Sequence, residues 1–167
     1  MTGVQTCALP IWFDLTGAGQ NLGAGAGRTR SGAFPLELAW RLISMYSIKG
    51  DTVLDPFLGT GTTILAAIMS ERNSVGFEIA PHLRPAIKRQ VDSAPAESGR
   101  LVHDRIDRHR EFVAQREAEQ KPLHYTVAAH DVPCISRQET GIILRQVDRI
   151  EWLSDTTCRV IYRGLNS

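Results

Sequence analysis

Apolar residues recur at helical spacing from residue 36 to residue 46, a pattern that predicts an amphipathic helix with Pro35 in its first turn. The pattern then changes to two short β-branched and apolar runs, residues 52–57 and 74–80, each of which predicts a buried strand. The apolar run between them predicts a helix capped by Thr62 or Thr63. A strand, a helix and a second strand in this order predict a βαβ unit with parallel strands.

The remaining chain shows three further patterns. Residues 12–33 are rich in glycine, which predicts a loop. A third helix is expected to open at Pro81, and residues 94–121 predict a charged helix with an apolar stripe of Leu101, Ile106, His109 and Val113. Short apolar runs separated by turn formers predict a β-rich element over residues 122–167. The sequence therefore predicts an α/β fold with a C-terminal helical and β-rich extension.

The composition limits the classes of function. The chain has 167 residues, 43% of them hydrophobic, as expected for a globular domain with an ordinary core, and no stretch that would cross a membrane. Lysine and arginine total 19 against 18 for aspartate and glutamate, so charge alone does not indicate nucleic-acid binding. Three scattered cysteines predict a cytoplasmic protein without disulfides. The histidines at 103, 109, 124 and 130 lack metal-ligand spacing, so we expect no metal and solvated side chains.

The stretch "VLDPFLGTGTT", residues 53–63, places a glycine turn between the first strand and its helix. The turn has no lysine, which argues against a loop that binds nucleotide phosphates, and it lacks the third glycine of a dinucleotide fold. Asp55 ends the first strand, and Glu78 follows the second, where carboxylates can bind an ammonium group and ribose hydroxyls. S-adenosylmethionine fits this pattern, since a lysine about 4 Å from its sulfonium would cost on the order of 4 kcal/mol.

Three motifs in order, "FPLELAWRLI", "GDTVLDPFLGTGTTILAA" and "RNSVGFEIA", resemble the permuted DNA amino-methyltransferases that methylate adenine N6 or cytosine N4. The resemblance implies a partial Rossmann-like fold, S-adenosylmethionine as the cofactor, DNA as the partner and a place in restriction-modification. It also implies that Phe34 and Pro35 line the cofactor and that Glu78 holds its ribose. The residues implied to surround the methionine part are Asp55, Pro56, Phe57, Gly59, Gly61, Thr62 and Thr63. Two alternatives stay open for Phe57, which is expected either to belong to the core alone or to belong to the core and also form a wall for the adenine.

The catalytic motif of the resembled family, an Asp, Asn or Ser followed by Pro-Pro and an aromatic residue, is absent, because the sequence contains no Pro-Pro pair. In the permuted order this motif lies upstream of the Phe34-Pro35 helix. Residues 1–11 resemble a translated sequencing-adapter scar. We therefore expect an N-terminally truncated, inactive fragment with no catalytic residue, in which DNA contacts belong mainly to the missing part. The target base, the recognised sequence and the oligomeric state stay open.

The predicted organisation has five segments: a scar over 1–11, a loop over 12–33, the cofactor-binding α/β core over 34–93, a charged helical segment over 94–121 and the β-rich extension over 122–167. Two other functions remain open. One is a nicotinamide-dependent oxidoreductase fragment, favoured by the same βαβ unit and acidic strand ends. The other is a non-catalytic cofactor-binding interaction module, favoured by the absence of the catalytic motif.

Overall fold

A computed structural model describes residues 34–121 and 123–165 of the chain. The helices are α1 (Leu36–Tyr46), α2 (Thr62–Met69), α3 (Arg84–Asp92) and α4 (Ala94–Ala118), and the strands are β1 (Thr52–Asp55), β2 (Asn73–Gly76), β3 (Tyr125–Val127), β4 (Val132–Cys134), β5 (Arg145–Trp152) and β6 (Cys158–Gly164). This content confirms the predicted α/β class. The predicted scar and glycine-rich loop lie outside the described residues, and the five predicted segments stay a prediction.

The chain divides into two compact units, residues 1–86 and 87–167. In the first unit, β1 and β2 pair in parallel, with Thr52 opposite Asn73 and Asp55 opposite Gly76. The predicted βαβ order and the parallel pairing are thereby confirmed. Helix α2 connects the two strands and packs against both, and α1 packs against α2.

The prediction that β1 and β2 are buried strands is wrong. Exposed and half-buried positions alternate along both strands. Leu54 is 63% exposed and Phe77, just beyond β2, is 60% exposed. Val75, two residues before Phe77, is also exposed. The apolar runs look like fully buried strands because both faces carry apolar side chains, but in the described residues α2 covers only one face.

The core of the first unit centres on α2. Its Leu65, Ala66, Ala67 and Ile68 are buried, and Leu65 is only 1% exposed. The prediction that Thr62 or Thr63 caps this helix is wrong, because the N-cap is Gly61 at φ 94° and makes no side-chain capping bond. A glycine takes this left-handed conformation at little cost, so the chain enters the helix through backbone geometry.

Polar side chains fix the approach to β1. Ser47 Oγ donates to the Ile43 carbonyl at 2.5 Å after the last turn of α1. Arg72 Nε donates to Ser47 Oγ at 2.9 Å, and its guanidinium also donates to the carbonyls of Ser47 and Ser70. Asp51 Oδ2 accepts the Ile48 N–H at 2.8 Å. Because charge-assisted hydrogen bonds are stronger than neutral ones, Arg72 ties the end of α1 firmly to the segment that leads into β2.

In the second unit, the 25-residue helix α4 packs against β5, which pairs antiparallel with β6. Ser98 Oγ on α4 accepts the buried Val147 N–H of β5 at 2.9 Å. The pairing shifts between Val147 and Arg149, so β5 carries an irregularity there. Of the predicted apolar stripe on α4, Val113 is buried, whereas Val102 takes the buried place expected for Leu101.

The predicted β-rich element is present, and it contains one strand that the pattern missed, β4, which pairs antiparallel with β3. Two histidines predicted to be solvated are structural instead. His109 Nε2 forms a hydrogen bond with the Pro133 carbonyl at 2.6 Å, and His130 Nε2 accepts the Leu144 N–H at 2.9 Å. Both side chains are half-buried, since β4 and the loop before β5 lie against them.

Cys134 and Cys158 are free thiols, and burial raises the pKa of each. For Cys158 the Asp92 carboxylate raises the pKa further and Lys88 lowers it. A raised pKa leaves less thiolate, the reactive form, at pH 8.

In a Cys7→Ser variant, we expect Ellman's reagent at pH 8 to modify Cys134, which is 1% exposed, at least roughly tenfold more slowly than Cys158. Equal rates for the two thiols in the folded protein would contradict the buried position of Cys134; the urea-unfolded chain gives the reference rate.

No helix in the described part of the chain has both the length and the apolar character needed to cross a membrane.

Candidate functional site

The candidate site lies where β1 and β2 end. Asp55 is the last residue of β1, and its carbonyl accepts the Phe77 N–H at 2.9 Å, which extends the parallel ladder one residue past Gly76. Glu78 is the next residue after Phe77. Parallel strands end at the same edge of their sheet, and this edge is where α/β proteins place ligands.

The turn between β1 and α2 is shaped by its two glycines. Gly59 has φ 57° and Gly61 has φ 94°, both in the left-handed region where a side chain is unfavourable. The Gly61 N–H donates to the Leu58 carbonyl at 3.0 Å, and the Leu65 N–H donates to the Gly61 carbonyl at 3.0 Å. The turn therefore passes directly into the first turn of α2.

Asp55 shapes this turn with its side chain. Its Oδ1 accepts the Phe57 N–H at 2.9 Å, an arrangement typical of an Asx turn. Within the described residues, its Oδ2 makes no hydrogen bond of its own. The carboxylate is half-buried, so one oxygen stabilises the turn while the other can still accept a hydrogen bond from a ligand.

Glu78 binds the same turn from β2. Its Oε2 accepts the Gly59 N–H at 2.8 Å, and its Oε1 accepts the Ala80 N–H at 2.8 Å. Both are charge-assisted hydrogen bonds, which are shorter and stronger than neutral ones. The structure thus brings the carboxylates of Asp55 and Glu78 onto one glycine turn.

The other predicted site residues differ in exposure. Phe57 is 88% exposed, so the expectation that it belongs to the core is wrong. Thr62 is buried in the first turn of α2 and Thr63 is half-buried. Pro56 is exposed beside Phe57. Phe34 and Pro35 immediately precede α1, which is the helix that packs against α2.

Two residues that matter to the turn were missed by the sequence reasoning, Leu58 and Gly76. Leu58 is buried although its neighbours Phe57 and Pro56 are exposed, and its side chain lies against Gly76 in β2. A glycine inside a strand pattern signals that another group approaches the backbone closely. That signal was present in "SVGFEIA".

The electrostatics of the turn favour ligands that donate hydrogen bonds. Residues 50–71 include no lysine, arginine or histidine, so no cationic side chain belongs to the turn. Two carboxylates on one turn can accept hydrogen bonds from an ammonium group or from hydroxyls. Among the described residues, no group of three or more His, Cys, Asp or Glu could hold a metal ion.

Comparisons with known proteins include this region. A family model described as DNA methylase, N6_N4_Mtase, matches residues 17–89. The chain is 44% identical over 156 residues to the type II methyltransferase M.MthZI of Methanothermobacter thermautotrophicus, which covers 93% of this chain and 42% of the relative. It is 58% identical over 62 residues to the type II methyltransferase M.MjaI of Methanocaldococcus jannaschii, over 37% of this chain and 20% of the relative.

Among solved structures, a DNA modification methylase of Thermus thermophilus in complex with S-adenosyl-L-methionine is 51% identical over 34% of this chain and 24% of its own length, with a TM-score of 0.34. The chain spans less than half the length of the relatives it matches. Residues 17–89, the segment that the family model matches, contain β1, the glycine turn, α2, β2 and Glu78. Residues 17–89 therefore match the N6/N4 DNA methylase family model, and most of the chain is similar in sequence to a type II methyltransferase.

Proposed function

We propose that this chain is the cofactor-binding portion of a DNA methyltransferase with a partial Rossmann-like fold, which transfers a methyl group from S-adenosylmethionine to an exocyclic amine, adenine N6 or cytosine N4. The observation that carries the proposal is the placement of Asp55 and Glu78 on one glycine turn at the ends of adjacent parallel strands. The match of residues 17–89 to the DNA methylase family model supports it.

The residues of the turn fit S-adenosylmethionine chemically. Besides the carboxylate of its methionine part, the cofactor carries a sulfonium, an ammonium and two ribose hydroxyls, and the turn offers these groups two carboxylates and no cationic side chain. Asp55 Oδ2 would accept from the ammonium, and the carboxylate of Glu78 would accept from the ribose hydroxyls while it keeps the Gly59 N–H. When bound, the cofactor supplies the methyl group to be transferred.

The remaining predicted residues would complete the site. The exposed ring of Phe57 would give the adenine an apolar wall, as would Phe34 and Pro35 at the start of α1. Gly59, Gly61, Thr62 and Thr63 would leave room for the methionine part beside Pro56, because the backbone at the two glycines can approach a ligand closely. This chain would thus bind and orient the cofactor, since alignment of donor and acceptor is a major source of rate enhancement.

We further propose that the complete methyltransferase takes its catalytic Pro-Pro-aromatic motif, and most of its DNA contacts, from a segment outside this sequence. The absence of a Pro-Pro pair and the 42% coverage of M.MthZI support this. The expected result is no transfer of tritiated methyl groups to adenine-rich or cytosine-rich duplex DNA by residues 1–167 alone. Incorporation above that of a heat-denatured control would show that the fragment has a catalytic group of its own.

The cytoplasmic location stays a prediction.

The cofactor itself is tested by isothermal titration of the full chain with S-adenosylmethionine and, separately, with NADH. We expect saturable binding of S-adenosylmethionine at one site and at least about tenfold weaker binding of NADH, whose pyrophosphate would meet two carboxylates and no lysine or arginine in the turn. Binding of NADH without binding of S-adenosylmethionine would instead support the oxidoreductase. S-adenosylhomocysteine, which lacks the sulfonium charge, measures the contribution of that charge.

A further inference from the structure

Leu58 anchors the glycine turn onto the end of β2. Its N–H donates to the Phe77 carbonyl at 2.9 Å, and its carbonyl accepts the Gly61 N–H at 3.0 Å. Its side chain is buried. The turn is thus fixed to β2 by backbone bonds and by the packing of one side chain.

That packing requires a glycine at position 76. A Cβ placed on Gly76 would lie 2.8 Å from Leu58 Cδ2, 2.9 Å from Leu58 Cδ1 and 3.1 Å from Leu58 Cγ. Favourable separations between carbon atoms are about 3.5–4.0 Å, so any side chain at this position must displace the buried leucine. Gly76 does not have a left-handed φ, and its role is therefore the space it leaves.

The contact between Leu58 and Gly76 lies beside both carboxylates. Gly76 is opposite Asp55 in the β1–β2 register and two residues before Glu78. Leu58 directly precedes Gly59, whose N–H donates to Glu78 Oε2. A displacement of Leu58 would consequently move Gly59 relative to its carboxylate partner.

We propose that Leu58 and Gly76 are positioning residues, which hold the glycine turn at the distance from Glu78 that the cofactor requires. The contacts of the two residues support their role in holding the turn, and the expected effect on cofactor affinity rests on the proposed function. Neither residue touches the cofactor in this proposal. They act through the Gly59–Glu78 hydrogen bond.

A double-mutant cycle tests the proposal on the full chain, with Leu58→Ala, Gly76→Ala and the double variant. We expect Gly76→Ala to weaken binding of S-adenosylmethionine by roughly tenfold or more, and Leu58→Ala by about threefold. The double variant should bind within about threefold of Leu58→Ala, because the shortened side chain leaves room for the new methyl group. Gly141→Ala is the matched control, since a Cβ there would meet nothing within 4 Å.

A second readout requires no cofactor. Hydrogen exchange of the Gly59 amide, followed by NMR, should speed up in Gly76→Ala and slow again in the double variant, in step with the Glu78 hydrogen bond. The proposal would be overturned by an unchanged exchange rate of the Gly59 amide in Gly76→Ala. It would also be overturned if the losses of cofactor affinity from the two single substitutions simply added in the double variant. If Gly76→Ala does not fold, recovery of folding in the double variant supports the proposal, and its failure to fold contradicts it. If the wild type does not bind S-adenosylmethionine, the proposed function fails while Gly59 exchange still decides this inference.

Discussion

Replacing Glu78 by alanine is expected to weaken the binding of S-adenosylmethionine by roughly 100-fold, which corresponds to about 2.7 kcal/mol. The substitution removes the proposed acceptor for the ribose hydroxyls. It also leaves the Gly59 N–H and the Ala80 N–H without the carboxylate that accepts both. Hydrogen bonds to charged groups contribute about 1.5–3 kcal/mol each, so the loss of one ligand bond and a looser turn account for the expected effect. Isothermal titration of the full chain measures it.

Glu78→Gln separates the two roles of this carboxylate. The amide keeps one oxygen acceptor but presents an NH₂ group where the other backbone N–H points, so two donors would face each other. We expect a loss of affinity between those of the wild type and Glu78→Ala. Glu37→Ala is the matched control, because it removes the same charge from an exposed side chain on α1, where Glu37 pairs with the mostly buried Arg41. If Glu78→Ala bound the cofactor as tightly as Glu37→Ala, the proposed role of Glu78 would be refuted.

The features that the sequence predicted well depend on local patterns. The order of α1, β1, α2 and β2 follows from hydrophobic periodicity and from the glycine turn, and each of these signals lies within about a dozen residues. The approach of Asp55 and Glu78 was inferred because parallel strands end at one edge. Their backbone partners could not be inferred, since these depend on the path of the turn in three dimensions.

The features that the sequence missed depend on contacts between distant residues. The exposure of Leu54 and Phe77 depends on which face of the sheet α2 covers. An apolar run in the sequence does not indicate whether one face of the strand or both faces are covered. Threonine is a good helix cap by propensity, but the chain reaches α2 through Gly61. Strand β4 has three residues and includes Pro133, so it gave no strand pattern.

Leu65→Ala is expected to lower the free energy of unfolding of the first unit by about 2–5 kcal/mol. Leu65 is 1% exposed in α2, the helix that packs on both strands and on α1, and truncation would leave a cavity at the centre of this unit. Urea unfolding followed by the fluorescence of Trp40 on α1 measures the loss. A Trp12→Phe, Trp152→Phe background assigns the signal to the first unit.

Leu54→Ala provides a matched control, because the same atoms are removed from a side chain that is 63% exposed in β1 of the same unit. Only part of that side chain leaves water on folding, so we expect a loss below about 1 kcal/mol. A large loss for Leu65→Ala with a small loss for Leu54→Ala would place the core between α2 and one face of the sheet. Equal losses would mean that the face bearing Leu54 is covered in solution, which would contradict the exposure of that face. In that case, the Leu54→Ala loss measured at several protein concentrations would identify what covers the face. A loss that changes with concentration would indicate a second copy, which covers the face only on association, and a constant loss would indicate a segment of the same chain.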